Sequence, residues 1–303
     1  VNGHPTYAGW IAVDWGTSHL RAWAMSDTDE VLAEAQSDNG MGRLAPDAFE
    51  PALLELVAPW LAGETEVVAC GMVGSRQGWT EAPYAATPCR PLDLTPVPAP
   101  ARDPRLRLRL IPGVKQENPP DVMRGEETQI AGFLAGNPGF DGVLCLPGTH
   151  TKWAAISAGE ITGFRSFMTG ELFAAIGHQT VLRHSVGEGW NDAAFAEAVS
   201  ESLSHPEMLA ANLFTIRAHG LLRGPDPDAA SARLSGLLLG AELGGARPWW
   251  LGREVAIIGS ERTSAVYAAA LRQQGVAPQI TDGSAMTRAG LAAFHHRHER
   301  ATA

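Results

Sequence analysis

Four apolar runs along the chain each stop at a glycine-containing turn: IAVDWGTS at 11–18, VVACGMVGS at 67–75, VLCLPGTHTKW at 143–153 and VAIIGSERTS at 255–264. Short apolar runs punctuated in this way predict buried strands, and strands that deliver polar turns to one edge of a sheet are how α/β proteins build ligand sites. The segments between them carry apolar residues at helical spacing. DAFEPALLELVAPWLAG opens with Asp47 three residues before Glu50, in the manner of a capping box, and repeats Phe49, Leu53, Leu56, Val57 and Trp60 with a helical period. GEETQIAGFLAG, GELFAAIGHQTVLRH, NDAAFAEAVSESL, ASARLSGLLLGAEL and TSAVYAAALRQQG predict further helices. The proline-dense stretch 88–104 predicts an ordered extended loop, because RLRLRLIPG after it alternates like a half-exposed strand and continues the same domain. A turn cluster at 137–142, NPGFDG, predicts the boundary between a first domain over 1–140 and a second over 141–303.

Composition narrows the partners. With 303 residues and 45% hydrophobic content the chain can fill one large α/β core or two ordinary ones. A net charge of −10 opposes a nucleic-acid role, since binding the phosphate backbone rests on Lys and Arg. Small solutes are the expected partners. Cys70, Cys89 and Cys145 form no C-x-x-C pair and two of them lie in strand-like runs, which suits a reducing cytoplasm. No apolar run approaches a membrane span, and the opening VNGHPTYAGW has neither the basic nor the apolar region of an export signal, so no membrane association is expected. The tail HHRHER offers His295, His296 and His298 to a metal, but a solvated end is the simpler reading and no role is assigned to it.

The candidate chemistry begins at Asp14, Gly16, Thr17 and Ser18. A carboxylate beside a glycine and hydroxyls suits a metal-bound phosphate: the glycine lets backbone N–H groups approach the anion while the acid reaches its counter-cation. Ordinary hairpin turns use the same residue types. A shift of 132 positions places Gly16-Thr17 on Gly148-Thr149, each after a buried strand and before a strand with a tryptophan, Trp23 or Trp153. Two such turns hint at a duplication in which each half presents a phosphate loop.

Two α/β halves with such turns, followed by a late IIGS strand-turn-helix, resemble the superfamily of sugar kinases, Hsp70 and actin. More narrowly, VDWGTSHLRAW, ACGMVGSRQGW, PDVMRGEETQ, LPGTHTKW and FMTGELF, in this order across about residues 10–295, resemble the 2-keto-3-deoxygalactonate kinases. The resemblance implies two RNase H-like (actin-like ATPase) domains around a nucleotide cleft, with the last helix, from TDGSAMTRAGLAAF, returning to the first. It implies ATP and Mg2+ as cofactors, with Asp14 on the magnesium side and Gly16, Thr17 and Ser18 at the phosphates. The second phosphate turn falls on Gly148, Thr149, His150, Thr151 and Lys152, and the adenosine turn on Gly259 and Ser260.

The implied substrate is a small-molecule sugar acid, 2-dehydro-3-deoxy-galactonate, phosphorylated on its 6-hydroxyl. Its carboxylate calls for a guanidinium fork, for which Arg76 ranks ahead of Arg124. Gly40, Met41, Gln77, Trp79 and Tyr84 are candidates for the rest of the pocket, although both aromatics could equally belong to the core. Glu126 aligns with the base of related kinases, with Asp121 as its rival. The alternatives are a kinase for another small sugar or keto-deoxy sugar acid such as 2-keto-3-deoxygluconate, and an actin- or Hsp70-type ATPase module. A serine hydrolase at Ser75 lacks the G-x-S-x-G frame. A homodimer is left open.

Overall fold

The computed structural model describes residues 7–302, with side chains through residue 297, so the side chain of His298 lies outside the described residues. The chain separates into two compact units. One runs up to Phe140 and adds 157–163 and the helix from Gly283; the other comprises 141–156 and 164–282.

In the first unit, strands β1 (Trp10–Trp15), β2 (Leu20–Met25) and β3 (Val31–Ser37) form an antiparallel meander, followed by helix α1 (Phe49–Val57) and strand β4 (Thr65–Gly71). A small three-stranded sheet is made by β5 (Ala85–Ala86), β8 (Val114–Gln116) and β9 (Asp121–Met123), while β6 (Val97–Ala99) and β7 (Leu106–Leu110) extend the main sheet. The six main strands lie in the order β3-β2-β1-β4-β7-β6, with β4 parallel to both β1 and β7. β1 and β4 are almost wholly buried because they are central, which is why they read as continuous apolar runs. β7 keeps its alternation, with Leu106, Leu108 and Leu110 inward and Arg107 and Arg109 outward toward Glu66. Helix α2 (Glu126–Gly136) completes this stretch.

The second unit repeats the plan. Strands β10 (Gly142–Leu146), β11 (Thr151–Ser157) and β12 (Glu160–Phe167) precede helices α3 (Thr169–Gln179), α4 (Asp192–Ser204), α5 (Leu209–Arg223), α6 (Pro227–Gly245) and the single turn α7 (Arg247–Trp250). Strand β13 (Val255–Gly259), helix α8 (Glu261–Gln273) and strand β14 (Gln279–Asp282) finish it, in the sheet order β12-β11-β10-β13-β14. In both units a strand has an antiparallel neighbour on one side and a parallel one on the other, so the ends of β1 and β10 release equivalent turns. The final helix α9 (Gly283–Thr302) packs against α2 in the first unit.

Three expectations change. The capping box does not form: α1 starts after Ala48 without a side-chain cap, and the Glu50 carboxylate instead accepts from the Arg102 and Asp103 N–H groups at 2.9 and 2.6 Å. A tertiary partner has taken the acid that the local pattern assigned to the helix end. The stretch 170–184 is two elements, because Thr180 turns extended and its hydroxyl caps a separate 3-10 turn, Val181–His184. Helix α5 escaped the pattern because Phe214, Leu221 and Leu222 are exposed and blur its apolar stripe. The tail is not a solvated end through His296: His295 is buried and stacked on Trp10 and bonds Glu66, and His296 bonds Asp29.

Candidate active site

Asp14 is the next-to-last residue of β1, paired in register with Arg21 on β2 and Cys70 on β4. Burial raises its carboxyl above the ordinary range, the Arg21 charge opposes that, and the Glu126 charge adds to it. The turn after it is braced from behind. The Met41 N–H bonds the Gly16 carbonyl at 3.0 Å, the Gly42 N–H bonds that of Thr17 at 2.9 Å, and the Trp15 indole bonds the Asn39 carbonyl at 2.9 Å. Gly40 has no room for a Cβ, which would overlap the backbone of Thr17 and Ser18. Thr17 and Ser18 themselves are exposed, so their hydroxyls and N–H groups are open to a ligand.

Opposite Asp14 in the same unit is the start of α2. Gly125 adopts φ +114° and lies against Gly71, at φ +91°, whose close neighbour is the Trp15 carbonyl. This brings Glu126 within electrostatic reach of Asp14, and its Oε2 accepts from the Arg124 N–H at 3.0 Å. Glu127 is fully buried. Both of its oxygens accept from the Gly125 N–H, at 2.9 and 2.7 Å, and burial together with the Glu126 charge pushes its carboxyl up to about 7. Asp121 sits on β9 in the small sheet, where its Oδ1 accepts from the Val122 N–H at 2.8 Å.

The two candidate arginines have opposite surroundings. The Arg76 side chain is 80% exposed and lies 3.6 Å from Glu81. Arg124 is buried, its guanidinium lies 4.2 Å over the Tyr84 ring, and one Nη donates to the Ala82 carbonyl at 2.8 Å. Among the described residues its other Nη, beside Gly74, has no protein partner, and neither has the buried Ser75 hydroxyl. Unspent buried donors carry a desolvation cost that a ligand can relieve. Of the two, Arg124 and not Arg76 is the buried one with a donor to spare. Tyr84 belongs with Arg124, whereas Trp79 is packed edge-on to Trp15 at 6.2 Å and donates to the Pro100 carbonyl at 3.0 Å; Gln77 is exposed.

In the second unit the turn Pro147–His150 is held by the start of α3. The Glu171 N–H bonds the Thr149 carbonyl at 2.9 Å, and a Cβ on Gly170 would overlap the Gly148 carbonyl oxygen. His150 Nε2 is 2.6 Å from Glu171 Oε2, so this imidazole has a carboxylate partner. Lys152 is buried and donates to the Ser166 hydroxyl at 2.6 Å, while Thr151, wholly buried, bonds the Tyr267 hydroxyl at 2.6 Å. Ser260 caps α8 through the Thr263 N–H, and Gly259 closes against Pro147. Beside these turns opens a largely apolar cavity of about 310 Å³, lined by Gly148, Gly170, Trp190, Leu238, Arg262 and Tyr267 among others. Most of its lining was invisible in the sequence, because Leu238 reads as an ordinary helix-packing residue and Trp190 falls in the loop before α4.

Among the described residues no group of three His, Cys, Asp or Glu side chains could hold a metal ion by itself. One or two carboxylates plus ligand phosphates is nevertheless how Mg2+ is commonly bound, and Asp14 beside Glu126 fits that donor set.

Paired units of one strand order, each releasing a glycine-hydroxyl turn from its central strand, define the two-domain actin-like class of kinases and ATPases. The likeness extends to the (R)-2-hydroxyglutaryl-CoA dehydratase component A of Acidaminococcus fermentans, which matches in fold alone: TM-score 0.53 at 13% identity, over 97% of this chain and 99% of that one. The chain belongs to the 2-keto-3-deoxy-galactonokinase family, whose model matches residues 14–294. It is 39% identical to a probable 2-dehydro-3-deoxygalactonokinase of Rhizobium meliloti (strain 1021), covering 95% of this chain and 97% of that protein. It is 34% identical to the 2-dehydro-3-deoxygalactonokinase of Escherichia coli (strain K12), over 95% and 98%. A crystal structure of the Sinorhizobium meliloti protein of the same designation superposes with a TM-score of 0.88 at 38% identity, over 95% of this chain and 96% of that one.

Proposed function

We propose that the chain transfers the γ-phosphoryl group of ATP to the 6-hydroxyl of 2-dehydro-3-deoxy-galactonate. The observation that carries this reading beyond family membership is the first unit's arrangement of Asp14, Glu126 and the half-satisfied buried Arg124 around the ends of β1 and β4. A phosphoryl acceptor with a carboxylate at one end and an alcohol at the other needs a cation for the first and a base for the second. Arg124 supplies the cation, with Tyr84 holding its plane. Glu126 accepts the hydroxyl proton as the phosphoryl group arrives, and Asp121 is the less suited carboxylate because Glu126 is the one coupled to Asp14.

In the first unit Thr17 and Ser18 offer donors to phosphate; in the second, the Gly148–Thr149 turn does the same, and the cavity beside Gly148 takes the nucleoside. Asp14 would hold Mg2+, which when bound neutralises charge on the transferring phosphates. His150 gives its Nε2 to Glu171, which leaves Nδ1 as its one nitrogen toward a ligand. We place the reaction in a reducing cytoplasm, in keeping with three free cysteines. Among the described residues no helix is long and apolar enough to cross a membrane.

The test is coupled ADP release with 2-dehydro-3-deoxy-galactonate and its C4 and C5 epimers. The expected result is acceptor-dependent turnover that is fastest with the galacto acid. Acceptor-independent ATP hydrolysis would overturn the reading in favour of an ATPase module, and faster turnover of the gluco epimer would reassign the substrate.

A further inference from the structure

Glu242 is a buried carboxylate that the proposed chemistry does not use. It projects from α6 into the interior of the second unit, 3% exposed. The Trp153 indole donates to its Oε1 at 2.8 Å, the Tyr267 hydroxyl donates to its Oε2 at 2.9 Å, and the Thr169 hydroxyl bonds it as well. Each donor comes from a different element: β11, α8 and the first residue of α3. Tyr267 and Thr169 are at the same time walls of the 310 Å³ cavity, and Tyr267 continues at 2.6 Å to Thr151, directly after the Pro147–His150 turn.

The protons in this chain are countable. A tyrosine hydroxyl has one hydrogen, so when Tyr267 gives it to Glu242 the bond to Thr151 must be donated by Thr151. All donors then point toward the carboxylate. When Glu242 gains a proton, its new O–H needs an acceptor, and the oxygens around it are those of Tyr267 and Thr169. Accepting it turns one of those hydroxyls away from its present bond, and in a buried site a misdirected donor is costly.

We infer that Glu242, which touches no ligand, is a positioning residue for the nucleotide: its ionised form orients Tyr267, Thr169 and Thr151 and so fixes the turn and cavity wall that receive ATP. This rests on the kinase reading above. Burial pushes the Glu242 carboxyl up to about 7, against the pull of its three donors, so the switch falls near neutrality. The titratable groups facing it are Tyr267 on α8 and Cys145 on β10. Burial, with the Glu242 charge adding to it, lifts both well above their ordinary values, so neither titrates in the same window.

The experiment is calorimetric ADP binding to the wild-type chain, Glu242→Gln and Tyr267→Phe, from about pH 6 to about pH 8.5. ADP's own phosphate titration is common to all three proteins, so the difference profiles carry the answer. If only the ionised form is competent, wild-type affinity gains up to about tenfold across the window relative to Glu242→Gln, and by a smaller factor relative to Tyr267→Phe, which loses the path to Thr151 but keeps the Thr169 bond. Tyr267→Phe keeps the cavity wall and the Trp153 bond but cuts the link to Thr151. A purely structural Glu242 predicts a lower melting temperature in Glu242→Gln with the wild-type pH profile retained, and that result overturns the inference. Should Glu242→Gln fail to fold, a wild-type profile in Tyr267→Phe overturns it equally. A wild-type chain that binds no ADP at any pH refutes the kinase reading itself, which is a separate outcome.

Discussion

Gly132 of α2 and Gly290 of α9 meet backbone to backbone. A Cβ on Gly132 would lie 2.7 Å from the Gly290 nitrogen and overlap the Met286 carbonyl oxygen, and a Cβ on Gly290 would overlap the carbonyl oxygen of Thr128. Because the obstacles are main-chain atoms, no side chain can rotate to relieve them. Gly132→Ala and Gly290→Ala are each expected to cost about 1–3 kcal/mol or more in stability by denaturant midpoint. Since α2 carries Glu126 on its first turn, a displacement of about an ångström should also lower kcat by up to about a hundredfold. A folded Gly132→Ala chain of wild-type stability would show that the helices do not cross as described.

Arg124 and Arg76 give opposite forecasts. Arg124→Lys keeps the charge but cannot make a planar fork or stack on Tyr84, so KM for the sugar acid should rise by at least about tenfold with KM for ATP little changed. Arg76→Lys, at an exposed ion pair, should leave both constants within about twofold. Steady-state kinetics on the two variants decides, and the reverse pattern would restore Arg76 to the substrate.

Glu126→Gln should cut kcat by roughly a hundredfold while leaving substrate binding within a few-fold, as expected of a lost base whose shape is preserved. Asp14→Asn should lose a comparable factor, with a weakened dependence on Mg2+ concentration. Asp121→Asn should retain most of kcat, since its carboxylate serves the local Val122 N–H. Single-turnover rates separate these cases. An inactive, well-folded Asp121→Asn beside an active Glu126→Gln would move the base to β9.

Stability should fall on the alkaline side. Burial holds Glu127 and Glu242 at about 7 against 4.5 for an ordinary glutamate, so the folded chain binds these protons more tightly than the unfolded one. Their contribution is complete below about pH 4.5 and is lost as pH rises through about 7, at most about 3 kcal/mol for each by the size of the shift. Glu66 has the opposite sign. Burial raises it, but the His295 hydrogen bond and the charges of His295, Arg107 and Arg109 outweigh that and hold it low, so its contribution fades in acid. Urea unfolding of the wild type and Glu127→Gln at about pH 5 and about pH 8 checks this. The variant should lose distinctly less stability between the two, and equal losses would rule the assignment out.

The central strands were legible because β1, β4, β10 and β13 are buried on both faces, and burial of that kind writes itself as an unbroken apolar run. The turns that follow them were legible for the same reason: they are where those runs stop. What the pattern could not carry was competition between local and distant partners. Glu50 reads as a helix cap until the 102–103 loop claims it. Arg76 and Arg124 are alike as letters, and only the fold shows one paired in solvent and the other buried over Tyr84 with a donor unspent. Most of the cavity lining was equally hidden, since apart from Pro147, Gly148 and Trp190 its members are scattered over α3, α6 and α8 and also serve their helices.

The return of α9 to the first unit sets an order on biosynthesis. The ribosome delivers β1 to α2 early, but the surface of α2 around Gly132 waits for a helix that is encoded beyond the whole inserted second unit. Until then α2 exposes a face shaped for another backbone, and the carboxylate pair it helps to build is unfinished. The second unit, contiguous apart from a short excursion at 157–163, can close first. Truncation by a premature stop at Gly283 would therefore leave the second unit whole and damage the earliest-made half of the protein.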